Sequence, residues 1–124
     1  GLSVAEFSNE QEARQLSLFP HIYNLDKARE YINLNKLSDA YREIEQVIVS
    51  AISERYEISR GETFDKIYSG LVRKYVSEML AKETVSLLND CQLAQFSPLI
   101  GEEKALTDFE KAQDILHRLQ SSAI

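Results

Sequence analysis

Residues 76–98 read VSEMLAKETVSLLNDCQLAQFSP, and the spacing of the apolar side chains in this stretch decides the fold. Val76, Met79, Leu80, Leu87, Leu88 and Cys91 draw one stripe along a helix, which must face other helices to leave water. The stripe runs into Cys91-Gln-Leu-Ala-Gln-Phe96, read as a compact apolar knot closed by Ser97-Pro98. Stripes of the same period recur on both sides, and no segment alternates with the period of two that a half-buried strand requires. The reading is all-α: a compact bundle of about five helices with no β-sheet.

Working outward, the N-terminal side holds three more helices. Asn24 can cap a helix with Leu25, Ala28, Tyr31 and Ile32 on one face. Leu34-Asn-Lys-Leu37 breaks it, and Ser38-Asp39 starts the next. There Ala40, Tyr41, Ile44, Val47, Ile48, Ala51 and Ile52 keep the helical period long enough to mark the central buried helix. Gly61 turns the chain, and Thr63 caps a helix carrying Phe64, Ile67, Tyr68, Leu71 and Val72. On the C-terminal side, Leu99-Ile-Gly101 is a loop, and Ala105, Leu106, Phe109, Ala112, Leu116 and Leu119 line a closing helix. The expected spans are 25–34, 38–56, 63–74, 76–93 and 102–120 within a single helical domain, residues 25–120. Residues 1–24 read as a tether with a short helix over Asn9–Leu16 that Pro20 stops, and residues 121–124 as a frayed end. Glu62 with Lys66 and Glu78 with Lys82 are spaced for i,i+4 ion pairs on exposed faces.

Fourteen basic against twenty acidic residues give a net charge of −6. Residues 47–83 balance six bases with six acids, and the segments on either side are acidic, so no third of the chain offers a phosphate-binding surface. A helix-turn-helix reading of Thr63–Leu88 fails for the same reason: its second helix would open with two acids and one base. Nucleic acid is therefore not an expected partner. A single cysteine makes no internal disulfide and fits a reducing compartment. No apolar run approaches the length of a membrane span. The chain opens on Gly1 without a methionine and is expected to be an excised piece of a longer protein.

Chemistry-bearing residues are sparse. Asp114 and His117 are i,i+3, half of a carboxylate-bridged metal motif whose other half is missing, and His117 is expected to face solvent. Cys91 lies on the stripe of Leu87 and Leu88, where burial raises its pKa and hides it from substrate. There is no glycine-rich phosphate loop, no His/Cys cluster and no Ser/His/Asp set. No catalytic residue, metal or cofactor is expected, and the chain does not read as an enzyme. Tyr31, Tyr41 and Tyr68 sit on apolar stripes and read as core-edge residues. Tyr75, beside Arg73 and Lys74, reads as surface. Phe96 can anchor a partner or fold back on its own helix, and folding back is the commoner fate of an aromatic after a helix end.

A helix ending in Cys91, followed by Leu93, Ala94, Phe96 and Pro98, resembles the cytoplasmic C-terminal domain of bacterial BatD proteins, the aerotolerance-operon family. Gln92, Gln95 and Ser97 stand where that pattern has an acid, an Arg and an Ala. The pair Lys27-Ala-Arg29 and Ser38-Asp-Ala-Tyr41, and the helix begun by Thr63, are similar to the family's earlier helices. No second copy appears at the offset of about 34 residues that a TPR array would require. The resemblance implies a cytoplasmic domain of an inner-membrane protein, with von Willebrand A-domain proteins and a MoxR-type AAA ATPase as partners. The function expected is a non-catalytic protein–protein interaction module using Tyr75, Phe96 and Arg73. The alternative is a ligand-binding or sensing bundle with a pocket lined by Tyr41, Tyr68 and Phe96.

Overall fold

The computed structural model describes residues 23–97 and 99–121. Among these residues five helices follow one another: α1 Asp26–Asn33, α2 Leu37–Tyr56, α3 Phe64–Arg73, α4 Glu78–Gln95 and α5 Glu102–Ser121. No strand occurs among the described residues. The expected Asn9–Leu16 helix, Pro98 and residues 122–124 lie outside them.

Polar side chains cap α3 and α4 where the sequence marks them, whereas α1 starts after Leu25 and α2 after Lys36, neither with a side-chain cap. Thr63 Oγ1 accepts from the Lys66 amide, and Ser77 Oγ accepts from the Leu80 amide at 3.1 Å, each meeting an N–H that has no partner inside the helix. Asn24 Oδ1 accepts from the Asp26 amide at 3.0 Å ahead of α1.

The helix ends are less ordinary. After α1, the Asn35 amide donates to the Ile32 carbonyl and the Lys36 amide to the Tyr31 carbonyl. After α3, the Tyr75 amide donates to Val72 and the Val76 amide to Leu71, both at 3.0 Å. Both are Schellman closures, which need a left-handed residue and usually take glycine. Here Asn35 (φ 58) and Tyr75 (φ 70) fill the position, and Glu57 (φ 55), the C-cap of α2, takes the same left-handed backbone.

Helix α2 is the centre of the bundle, packing against α1, α4 and α5, while α3 packs on α4. Ala40, Tyr41, Ile44, Val47, Ile48, Ala51 and Ile52 are all buried, as their period requires. Leu87, Leu88 and Cys91 from α4 and Phe109, Ile115 and Leu119 from α5 complete the interior. The Tyr56 hydroxyl donates to the Leu119 carbonyl at 2.6 Å, tying the end of α2 to the end of α5. Tyr23 belongs to this body rather than to a tether: its amide donates to Gln120 Oε1 at 2.7 Å, and its ring packs against the core. Between α2 and α3, Ile58 lies across Gly70, where an added Cβ would stand 3.0 Å from Ile58 Cδ1.

Helix α4 departs from the expected 76–93 by two residues at each end. Ser77 caps it, so Val76 packs in the core just outside the helix, and the helix runs on through Leu93 and Ala94 to Gln95. The apolar knot is therefore helix, and only its Cys91 and Ala94 are buried. Leu93 and Met79 fall out of phase with the stripe Leu80–Thr84–Leu87–Cys91–Ala94 and are exposed. Of the two i,i+4 ion pairs, Glu62–Lys66 closes at 3.7 Å.

Candidate functional site

The large apolar side chains left in solvent mark the two ends of α4. At its C-terminal end, Leu93, Phe96 and Leu99 are exposed, Phe96 to 86% and Leu99 to 90%. Ser38 Oγ donates to the Gln95 carbonyl at 3.0 Å, and Gln95 Nε2 donates to Glu45 at 2.9 Å, so the end of α4 is sewn to the start of α2. The exposed Leu34 of the α1–α2 turn belongs to the same end of the bundle, where Asn35, Lys36 and Leu37 share a shallow concavity with Ser97 and Ile100. Phe96 does not fold back. It is the C-cap residue, with φ −109 and ψ 7, and its ring points away from the core that Ala94 enters.

Beneath this end lies a polar cluster that the sequence reading missed, buried at Tyr41 and Asp108 and reached from the surface by Lys104. The Tyr41 hydroxyl donates to Asp108 Oδ2, and Lys104 Nζ donates to the same oxygen at 2.9 Å. Burial is the main reason the Tyr41 hydroxyl is held protonated far above its usual range, with the bond to Asp108 second. The Lys104 ammonium is held charged beyond its usual range chiefly by its bond to Asp108. Burial pushes the Cys91 thiol up to about 12, helped by the negative field of Glu45, Asp108 and Asp90. A thiol so placed carries no thiolate near neutrality and meets no solvent, so it does not present a nucleophile. The signal was available: Asp108 stands on the Ala105–Phe109–Ala112 stripe, where an acid must find a partner.

At the N-terminal end of α4, Tyr75 is exposed to 87%, Met79 is exposed in the first turn, and Arg73 is exposed beside them. Lys74 Nζ stands 3.5 Å from Glu57. Arg73 and Tyr75 thus share one turn, but Phe96 is separated from them by the 18 residues of α4, about 27 Å of helix axis. The three residues taken from the sequence as one surface belong to two.

The pocket expected from Tyr41, Tyr68 and Phe96 does not form. Tyr41 is buried against Asp108, Tyr68 is half-buried on α3, and Phe96 stands in solvent. A different cleft of about 250 Å³ opens between α2, α3 and α4, floored by Val49, Ile52, Phe64 and Leu88 and rimmed by Glu45 and Arg60. Arg60 is held there by a bond to Ser50 Oγ at 2.8 Å. His117 is exposed, and Asp114 accepts from Arg118 at 3.0 Å instead of reaching the histidine. No helix of the described residues is long and apolar enough to cross a membrane.

Fold and surface together define an all-α bundle that leaves large apolar side chains in solvent at both ends of α4. Set against protein-family models, curated proteins and solved structures, the chain has no match.

Proposed function

We propose that this bundle is a non-catalytic protein–protein interaction module whose docking surface is the apolar end formed by Leu93, Phe96 and Leu99. The observation that carries the reading is the exposure of Phe96 and Leu99, 86% and 90%, on a body whose buried side-chain polar atoms all have partners among the described residues. Clustered large apolar side chains on an otherwise satisfied protein mark interaction sites, and aromatic anchors dominate their energetics. Glu102 and Glu103 adjoin this end at the start of α5, so the partner that fits it presents apolar side chains flanked by bases.

The resemblance carried by Cys91, Leu93, Ala94, Phe96 and Pro98 extends the reading. The module is then the cytoplasmic domain of a BatD-like inner-membrane protein, and its partners are von Willebrand A-domain proteins and a MoxR-type AAA ATPase linked to aerotolerance. Titrating the bundle calorimetrically with each purified partner class tests this. Saturable binding to one of them, weakened about tenfold or more in Phe96→Ser, is the expected result. Heat of binding with neither, or binding that Phe96→Ser leaves unchanged, overturns it.

The second reading, a ligand-binding or sensing bundle, draws on the cleft between α2, α3 and α4. Its volume falls below the roughly 300 Å³ at which small-molecule sites usually begin, which leaves it second.

A further inference from the structure

The other end of α4 has its own logic, independent of the apolar end. Tyr75 occupies the left-handed position of a Schellman closure at φ 70, where any β-carbon is strained and glycine is the usual occupant. Its side chain is 87% exposed, and its hydroxyl makes no hydrogen bond among the described residues. The two hydrogen bonds of the closure offset part of that cost, but a glycine would form them equally without it. A residue held in a costly conformation with its functional group in solvent points to a role outside folding.

The surroundings give that role a sign. From residue 73 to residue 82 the chain carries Arg73, Lys74 and Lys82 against Glu78, a local excess of two positive charges in a chain whose net charge is −6. Lys74 is partly engaged by Glu57, while Arg73 and Lys82 form no ion pair among the described residues. Met79, exposed in the first turn of α4, adds a flexible, polarisable apolar contact of the kind that adapts to varied side chains.

We propose that the α3–α4 turn is a second docking surface, which takes an acidic segment of a partner protein bearing a large apolar side chain. Tyr75 and Met79 receive the apolar group, and Arg73 and Lys82 pair with the flanking acids. The acids at the opposite end of α4 repel the same segment, so each end selects its own partner by charge. The module then bridges two partners along one helix.

Binding to the whole chain is measured by fluorescence anisotropy with a dye-labelled peptide that alternates Glu and Leu around a central Trp. A peptide with Lys in place of every Glu, and anionic lipid vesicles, serve as comparisons. The expected result is saturable binding of the Glu peptide, lost with rising salt and weakened about tenfold by Tyr75→Gly and by the double variant Arg73→Glu, Lys82→Glu. Phe96→Ser leaves it unchanged. Tyr75→Gly removes the strained β-carbon, so its melting temperature stays at or above that of the unaltered chain, and lost binding cannot be attributed to lost folding. The proposal is overturned if the Glu peptide does not saturate, if the Lys peptide binds equally well, if Tyr75→Gly binds as before, or if only the vesicles are bound.

Discussion

Both ends of helix α4 hold an aromatic ring in solvent, yet the ring is kept there in opposite ways. At the C-terminal end, Phe96 has an unstrained backbone, and below it the buried Tyr41–Asp108 pair is joined by the exposed Lys104. At the N-terminal end, Tyr75 has a left-handed backbone, and the buried side chains flanking it in the chain, Leu71, Val76 and Leu80, are all apolar. Exposure of Phe96 costs the fold nothing locally, whereas exposure of Tyr75 is bound to backbone strain. Equal exposure is therefore unequal information: removing the ring should raise stability at Tyr75 and leave it nearly unchanged at Phe96.

The largest effect that bears on this contrast comes from the polar cluster. Asp108→Ala strands the Tyr41 hydroxyl in the interior and is expected to destabilise the fold by about 1–3 kcal/mol. Urea unfolding gives the size. Native-state hydrogen exchange gives the place, with protection reduced around Cys91 and the start of α5 while Leu80 and Ala81 keep theirs. Uniform loss across α4 would mean that the two ends are not energetically distinct.

The next effect is alkaline. The folded thiol of Cys91 holds its proton from its ordinary 9.0 up to about 12, so above pH 9 the unfolded chain releases that proton first. The folded state binds more protons in this window, and stability, complete below pH 9, falls as the pH rises, by up to about 1.4 kcal/mol per pH unit from this one group. Tyr41 and Lys104, both shifted upward, act in the same direction. Urea midpoints measured from pH 7 to pH 11 should therefore descend above pH 9, and less steeply in Cys91→Ala. A flat profile would show that this end opens readily to water.

The smallest effects are the most telling as a pair. Tyr75→Gly is expected to stabilise the chain by about 1 kcal/mol by relieving the left-handed β-carbon. Phe96→Ser should stay within about 0.5 kcal/mol, as surface changes without backbone strain do. Thermal melts of the two variants side by side decide the matter, and equal shifts would erase the contrast drawn between the ends.

Much of this architecture is legible in the sequence because burial imposes a period. The seven-residue stripe of α2 is buried at every position, and Thr63 cap α3 as read. What the sequence hid was phase and partnership. Met79 and Leu93 are apolar and close to the α4 stripe, but the helix turns 100° per residue, and one step of phase moves a side chain from core to solvent. Reading Leu93 and Phe96 as a knot counted their hydrophobicity and not their angle. The stripe marks Asp108 as an acid in need of a partner, but which partners it finds, Tyr41 and Lys104 from 67 and 4 residues away, is set only by the fold. Arg73 and Lys74 beside it mark Tyr75 as surface, but its strain depends on φ, which composition does not encode.

Gly70 leaves a trace of a different kind. Because a methyl group there would press on Ile58 at 3.0 Å, positions 58 and 70 draw on one shared volume. Sequences descended from the same ancestor should trade that volume between them, a side chain gained at 70 accompanying a smaller one at 58. Such a paired exchange would serve as a fingerprint of this bundle in distant chains whose stripes have drifted beyond recognition.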